Sequence, residues 1–488
     1  MPEEFLLDED GRAVAVHRRV SLRTPGLAGR ATVHEAASAG TRGAEQTTDA
    51  LVTALALNEI EEDLTVEILE PRERTAAAGT RAAGGPDDIV MEVADPGPGW
   101  RQVVLYASED GAITWHFPQV SAPGLLTYRI PRAVVPPAEA PGAHRGLTGA
   151  IGTKILKVLV FGLVREGAGW VGARFAEFVE NRRHPHRLRA VGPDDYRAPS
   201  AEVSAEALAQ MGTGRALLLL HGTFSTTHGA FGELPVATMR ELHAAYEGRV
   251  LAFDHPTVSR TPVDNIRWLA EYLRRRDARL EVDIVCHSRG GLVGRVLTER
   301  PDLAEVAGTV SVGKAVLVGT PNAGTALADV ARHEQLLNRF TSLLQLVPDN
   351  GVTDALDIVL ALVKQVAAGV AEGLDGLMSM NPSAAFLTEQ LTGRHPTTAR
   401  YFTAGANYEP PAGSSLLRIA GDGGVDLVFG RADNDLVVPT AGALALDGTH
   451  PLPVADHLAV DASAAVDHFG YFDHPALNES LVRWLRTA

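Results

Sequence analysis

The sequence predicts an α/β fold, with a mostly parallel central sheet flanked by helices, joined to an N-terminal α+β region. Three observations carry this. After about residue 213, short and wholly apolar runs alternate with helical stretches, the pattern of a sheet buried on both faces. Before residue 200 the apolar runs often alternate with polar residues and are separated by Gly-, Ala- and Pro-rich stretches. The chain has 488 residues, beyond the roughly 250–300 at which one hydrophobic core stops growing. Two units are therefore expected, over 1–200 and 201–488.

In the first unit, Thr47 to Ile60 reads as a helix and Leu64 to Leu69 as a strand. Asp88 to Val93, Gln102 to Tyr106, Ala112 to Phe117 and Leu125 to Ile130 read as strands of a small β unit over about 87–131. Ala76 to Pro86 and Pro136 to Gly142 read as loops or linkers, being built from residues that punctuate regular structure. From Gly149 to Asn181 the apolar spacing predicts a helical segment, with Ile155 to Val164 a buried helix that docks on the second unit. There, strands are expected at Leu217 to Leu220, Arg249 to Phe253, Val282 to Cys286, Ala315 to Gly319 and Ala399 to Ala404. Helices are expected at Phe231 to Glu247, Val263 to Arg275 and Gly291 to Arg300, and a long helical insertion at 326–390. Alternating strands and helices of this kind build a doubly wound sheet, whose active site lies beyond the carboxyl ends of its strands.

Composition narrows the function. Apolar residues make up 45% and charged residues 21%, which argues against a disordered or fibrous chain. Lys and Arg number 44 against 60 Asp and Glu, a net charge of -16, the reverse of a nucleic-acid binder's footprint. The single cysteine, Cys286, excludes an intrachain disulfide and a Cys-based zinc site. The start, Met1-Pro2-Glu3-Glu4, lacks a basic and then apolar leader, which points to the cytoplasm. Ile155 to Val164 is interrupted by Lys157, well short of the roughly 18 apolar residues that span a bilayer.

The strongest chemical signal runs from Val282 through Cys286-His287-Ser288-Arg289-Gly290-Gly291. A strand leads directly into a Ser-containing turn and then a helix, the context of a nucleophile elbow. Gly290 lets the turn close, while Cys286 stands where that motif has its first Gly. The alternative is that Ser288 merely caps the next helix. Leu217 to Leu220 leads into His221-Gly222-Thr223, where the Gly admits a close backbone. There the Thr223 amide, with the amide of Arg289, forms the expected oxyanion hole. A buried carboxylate is then needed to orient an imidazole. Asp435 in Arg431 to Pro439 is the choice, with Asp433 in reserve; a solvated turn or a weak calcium loop of Asp433, Asn434 and Asp435 is the alternative. The order Ser, Asp, His directs attention to His450, His457, His468 and His474, and His468 is preferred, with His474 in reserve.

These residues give the second unit a clear likeness. It resembles the α/β-hydrolase superfamily, in particular its lipase and esterase group with bacterial lipases, PGAP1-like esterases and lecithin:cholesterol-acyltransferase-like enzymes. The likeness is carried by His221-Gly222-Thr223, His287-Ser288-Arg289-Gly290-Gly291, Val318 to Thr325, Asp435 to Pro439 and His468-Phe469. It implies Ser288 as nucleophile, Asp435 as acid and His468 as base, acting on a small-molecule or lipid-like ester with neither metal nor cofactor. It also implies that the insertion at 326–390 is a lid or an acyl-pocket wall; the alternative is a core helical layer with no gating role. The alternatives are acyl transfer, cleavage of a phospholipid, polyester or thioester by the same triad, or a non-catalytic interaction protein on this scaffold.

Overall fold

Eighteen strands are arranged in three sheets in the computed structural model, which describes residues 3–35, 49–73, 88–108, 113–131, 153–163, 174–329, 332–344, 352–370, 372–393, 397–409, 432–446 and 452–486. Ala76 to Pro86, Pro136 to Gly142 and His450 lie outside the described residues. Strands β1 (Glu4–Leu6), β2 (Val14–His17), β3 (Val20–Arg23) and β4 (Leu27–Glu35) precede helix α1 (Asp49–Leu57). They are followed by β5 (Glu61–Glu73), β6 (Ile89–Ala94), β7 (Trp100–Ser108), β8 (Ile113–His116), β9 (Gln119–Ala122), β10 (Leu125–Ile130) and β11 (Lys154–Gly162). The strand orders are β1-β4-β5-β11-β7-β8 in one sheet and β2-β3-β6-β10-β9 in the other, with every pairing antiparallel.

Two elements differ from the reading of the sequence. The strands at 89–130 are not a separate β unit, because they are divided between two sheets that draw on residues 4 to 162. The run at 154–162 is a strand and not a helix. Its partners β5 and β7 lie far away in sequence, and its sheet is covered on both faces. Val104, Tyr106, Leu156 and Val158 pack toward the five-stranded sheet. Val103, Leu105, Ala107, Ile155, Leu159 and Phe161 pack the other way, into the core shared with the C-terminal unit. A strand buried on two sides loses the alternation that distinguishes it from a buried helix.

The third sheet begins with β12 (Arg187–Ala190), before the expected boundary at 201. Only its two Arg residues alternate with apolar ones, and Arg189 is drawn inside by Asp254, at 2.7 Å. Helix α2 (Phe175–Arg183) precedes it, and α3 (Ala205–Met211) leads to β13 (Arg215–Leu220). Next come α4 (Thr227–Ala230), α5 (Val236–Ala245), β14 (Val250–Asp254), α6 (Pro262–Arg274), β15 (Leu280–His287), α7 (Gly290–Glu299) and β16 (Val310–Val318). The order is β12-β14-β13-β15-β16-β17-β18, where β17 is Arg400–Ala406 and β18 is Val454–Val460. All neighbours are parallel except β12 and β14. Alternate residues of β13 face opposite cores. Ala216, Leu218 and Leu220 share one with α6 and α7, while Leu217 and Leu219 meet α5 and the last helix, Pro475–Arg486. This is the doubly wound arrangement that the apolar runs predict.

The segment after β16 carries helices α8 (His333–Leu344), α9 (Val352–Ala367) and α10 (Asp375–Met378). The backs of α8 and α9 rest on the six-stranded N-terminal sheet. Trp115 of β8 donates its Nε1–H to Thr341 Oγ1 at 2.8 Å, and Asn58 after α1 donates to Asp357 at 2.7 Å. Phe175 and Val179 of α2 pack against Ala361 of α9. A chain beginning at residue 201 would strip β12 from the sheet and bare the apolar backs of α8 and α9. Such a fragment is expected to be insoluble or to lack a cooperative thermal transition; a soluble fragment with the full chain's melting temperature would contradict this packing.

Candidate active site

At the carboxyl end of β15 the chain turns within two residues into α7, and Ser288 sits at the turn with φ of 54°. A left-handed φ is uncommon for a residue with a Cβ and costs on the order of 1 kcal/mol or more. The turn is held by Ser288 N–H donating to Val318 O at 2.8 Å and Gly291 N–H donating to Ser288 O at 2.9 Å. It also needs room. A Cβ on Gly290 would lie 2.4 Å from Leu220 O and 2.5 Å from His221 O, so the first turn of α7 rests directly on the end of β13. A Cβ on Gly222 would lie 2.6 Å from Ser288 Cβ. Cys286 is buried, and its Sγ lies against Gly294 of α7.

Thr223 follows Gly222 on the same loop. Among the described residues neither the Thr223 amide nor the Arg289 amide donates to a protein acceptor. The Arg289 side chain turns away into the core, where Nε donates to Gly376 O at 3.0 Å and a second nitrogen donates to Arg260 O. Burial lowers this guanidinium to about 10, still protonated at neutral pH.

Asp435 and His468 meet beside the elbow, with His468 Nδ1 2.8 Å from Asp435 Oδ2. Asp435 Oδ1 accepts the amides of Val437 at 3.0 Å and Val438 at 2.7 Å. Burial alone would raise this carboxyl, but His468, its hydrogen bond and those two amides hold it below the ordinary carboxylate value. With Nδ1–H given to the carboxylate, Nε2 of His468 is left as the basic nitrogen, buried and without a hydrogen-bond partner among the described residues. Asp433, in contrast, is exposed. His474 closes the turn Gly470–Asp473 through its backbone, and His457 lies on β18, 2.8 Å from Thr403 Oγ1.

Ser288, His468, His287 and Thr223 line one narrow cleft with Phe224, Phe340, Leu344, Ala355, Phe469 and Glu233. Its cavity volume is about 40 Å³. His287 Nε2 donates to the His468 carbonyl at 2.8 Å, and its ring centroid lies 5.0 Å from that of His468. His221 Nδ1 donates to Gly222 O at 3.0 Å and its Nε2 accepts the His255 amide at 3.0 Å. Burial holds both rings neutral, His287 at about 3 and His221 at about 4.

Sequence reasoning missed Tyr471 here. Its hydroxyl donates to Asp435 Oδ2 at 2.9 Å and accepts the Ala406 amide at 2.8 Å, so Asp435 receives four donors in all. A tyrosine in an aromatic loop carries no sequence mark of such a role. Among the described residues no group of three or more His, Cys, Asp or Glu side chains could hold a metal ion, and no helix is long and apolar enough to cross a membrane.

A family profile described as "Domain of unknown function (DUF7379)" matches residues 183–486. No curated protein matches the sequence. Solved structures similar to the chain include esterases and lipases. The lipase BlEst2 of Bacillus licheniformis is 20% identical, with a TM-score of 0.35 over 56% of this chain and 92% of its own. Lipase 1 of Pelosinus fermentans is 13% identical, with a TM-score of 0.39 over 56% and 99%. EstA of Clostridium botulinum is 13% identical, with a TM-score of 0.38 over 61% and 98%.

The buried neutral histidines set an acid limit on stability. His186, His221 and His287 are lowered by burial to about 4, 4 and 3, and His255 well below its ordinary value. In the unfolded chain each takes a proton near pH 6.5. Their contribution is therefore complete above pH 6.5 and is lost as pH falls toward the folded values, at about 1.4 kcal/mol per pH unit for each ring. The urea midpoint is expected to fall steeply between pH 6.5 and 4.5. A midpoint that stays flat over that range would contradict neutral burial of these rings.

Proposed function

We propose that this chain, which belongs to the family described as "Domain of unknown function (DUF7379)", is a serine carboxylic ester hydrolase of the α/β-hydrolase superfamily. The observation that carries the reading is the convergence on one cleft of a serine with left-handed φ at a strand-to-helix turn and a histidine whose other nitrogen is held by a buried carboxylate. The order Ser288, Asp435, His468 along the chain agrees with this superfamily.

In the proposed cycle His468 Nε2 takes the proton as Ser288 Oγ attacks the ester carbonyl. The amides of Thr223 and Arg289 receive the oxyanion, and Asp435 stabilises the imidazolium. His468 then returns the proton to the departing alcohol, leaving an acyl-enzyme. Water, deprotonated by the same His468, attacks that ester and releases the acid and free Ser288. His221 and Gly222 support the first donor, and His287 and Gly290 support the nucleophile and base. Phe224, Phe340, Leu344 and Phe469 give the cleft an apolar wall that suits a hydrophobic acyl group. With α8 and α9 backed by the N-terminal sheet, that wall is best read as an acyl-pocket wall.

The test is hydrolysis of p-nitrophenyl esters from C2 to C16 by the wild type, Ser288→Ala and Asp435→Asn. Ser288→Ala is expected to abolish turnover, and Asp435→Asn to lower kcat by about 10⁴. Equal rates in wild type and Ser288→Ala would contradict the reading. Tyr471→Phe, which removes one of four donors to Asp435, is expected to lower kcat by about 3- to 10-fold, the net worth of roughly 1 kcal/mol for one hydrogen bond. A kcat equal to the wild type would remove Tyr471 from the machinery.

A further inference from the structure

Glu180 lies on α2, outside the segment 183–486 that defines the family, and its side chain is fully buried. Helix α2 buries Phe175, Ala176 and Val179, and beside them this carboxylate is inserted into the loop that follows β14. Oε1 accepts the amides of Thr257 at 2.6 Å and Val258 at 2.8 Å and the Thr257 hydroxyl at 3.2 Å. Oε2 accepts the amide of Ser259 at 2.8 Å and its hydroxyl at 2.6 Å. Five donors from three consecutive residues converge on one carboxylate, and charge-assisted bonds of this kind are roughly twice as strong as neutral ones.

That loop is tied to the neighbours of both expected oxyanion donors, the Phe224 amide beside Thr223 and the side chain of Arg289. Thr257 Oγ1 spends its proton on Glu180 and accepts the Phe224 amide at 3.2 Å. Phe224 directly follows Thr223 and has φ of 53°, so without that bond its strained conformation has less to hold it. From the other side, Arg289 donates to Arg260 O and Gly376 O. Gly376 itself packs on the carbonyls of Thr257, Val258 and Arg260, where a Cβ would meet oxygens at 2.4 to 2.9 Å. The residue after Thr223 and the side chain of Arg289 are thus both anchored on one short loop.

We propose that Glu180 and Thr257 are positioning residues for the oxyanion hole, through which the N-terminal part of the chain sets the activity of the C-terminal part. The inference rests on the ester-hydrolase reading. Its polarity is fixed, running from Phe224 N–H to the Thr257 hydroxyl to the Glu180 carboxylate. Such donors act through geometry, and a displacement of about 1 Å can cost on the order of 10² in rate.

The test uses the full chain with Thr257→Val, which keeps the shape and the backbone bonds to Glu180, and Thr257→Ser, which keeps the hydroxyl. Glu180→Gln is the harsher variant, since its amide sets two donors against the loop's own. For Thr257→Val, kcat on a p-nitrophenyl ester is expected to fall about 10- to 100-fold with KM within about twofold. The inhibition constant of a trifluoromethyl ketone, whose hemiketal oxyanion needs the same amides, is expected to rise by the same factor, and Thr257→Ser to restore both. The Phe224 amide should exchange its hydrogen faster in Thr257→Val. An unchanged kcat, or a loss confined to KM, would overturn the proposal. Should the wild type turn over no ester, the hydrolase reading fails, and exchange at Phe224 still decides the tie: faster in Thr257→Val sustains it, unchanged overturns it.

Discussion

The site depends on two neighbouring strand ends coming closer than a Cβ permits. The start of α7 rests on the carbonyls that end β13, with Gly290 against Leu220 and His221, and Gly222 lies against Ser288. This contact fixes the loop 221–224 relative to the serine and keeps the turn tight enough to force Ser288 to its left-handed φ. A strain of this kind persists only where the surroundings over-determine it. Here the constraints are the bond from Ser288 N–H to Val318 O and the parallel ladder on both sides of β15.

Around that contact lie shells that hold it by different physics. Nearest are neutral histidines: His221 and His287 each give one ring proton to a backbone carbonyl at the site and stay uncharged through burial. Beyond them are carboxylates satisfied by several donors, Asp435 with four and Glu180 with five. A buried carboxylate without such partners would cost several kcal/mol. Satisfied in this way, each one fixes a loop, 434–438 in one case and 257–259 in the other. Outermost is the six-stranded N-terminal sheet, which backs α8 and α9 and so supports the apolar wall of the cleft.

Much of this was legible in the sequence, for physical reasons. The parallel strands are buried on both faces, so Leu217 to Leu220 and Val282 to Cys286 stand out as unbroken apolar runs between helices. Ser288 and Gly222 stand out because turns at strand ends permit few residue types, and Asp435 because a carboxylate is needed to orient an imidazole. The strand at 154–162 did not, since double-sided burial gives it the same apolar density as a buried helix and its partners are remote. Arg187–Ala190 was missed because its Arg residues disguise an edge strand. Glu180, Thr257 and Tyr471 were illegible because each acts through a hydrogen bond to a residue distant in sequence. A buried Glu on a helix reads the same as a solvated one.

In the proposed cycle Ser288, activated by His468, is the nucleophile. The most direct measurement is mass spectrometry of the peptide containing Ser288 after treatment of the full chain with a fluorophosphonate, alongside Asp435→Asn and heat-denatured chain. A single phosphonyl adduct on Ser288 is expected, slowed by orders of magnitude in Asp435→Asn and absent after denaturation. An unlabelled Ser288 in the native chain, or equal labelling of native and denatured chain, would contradict the account.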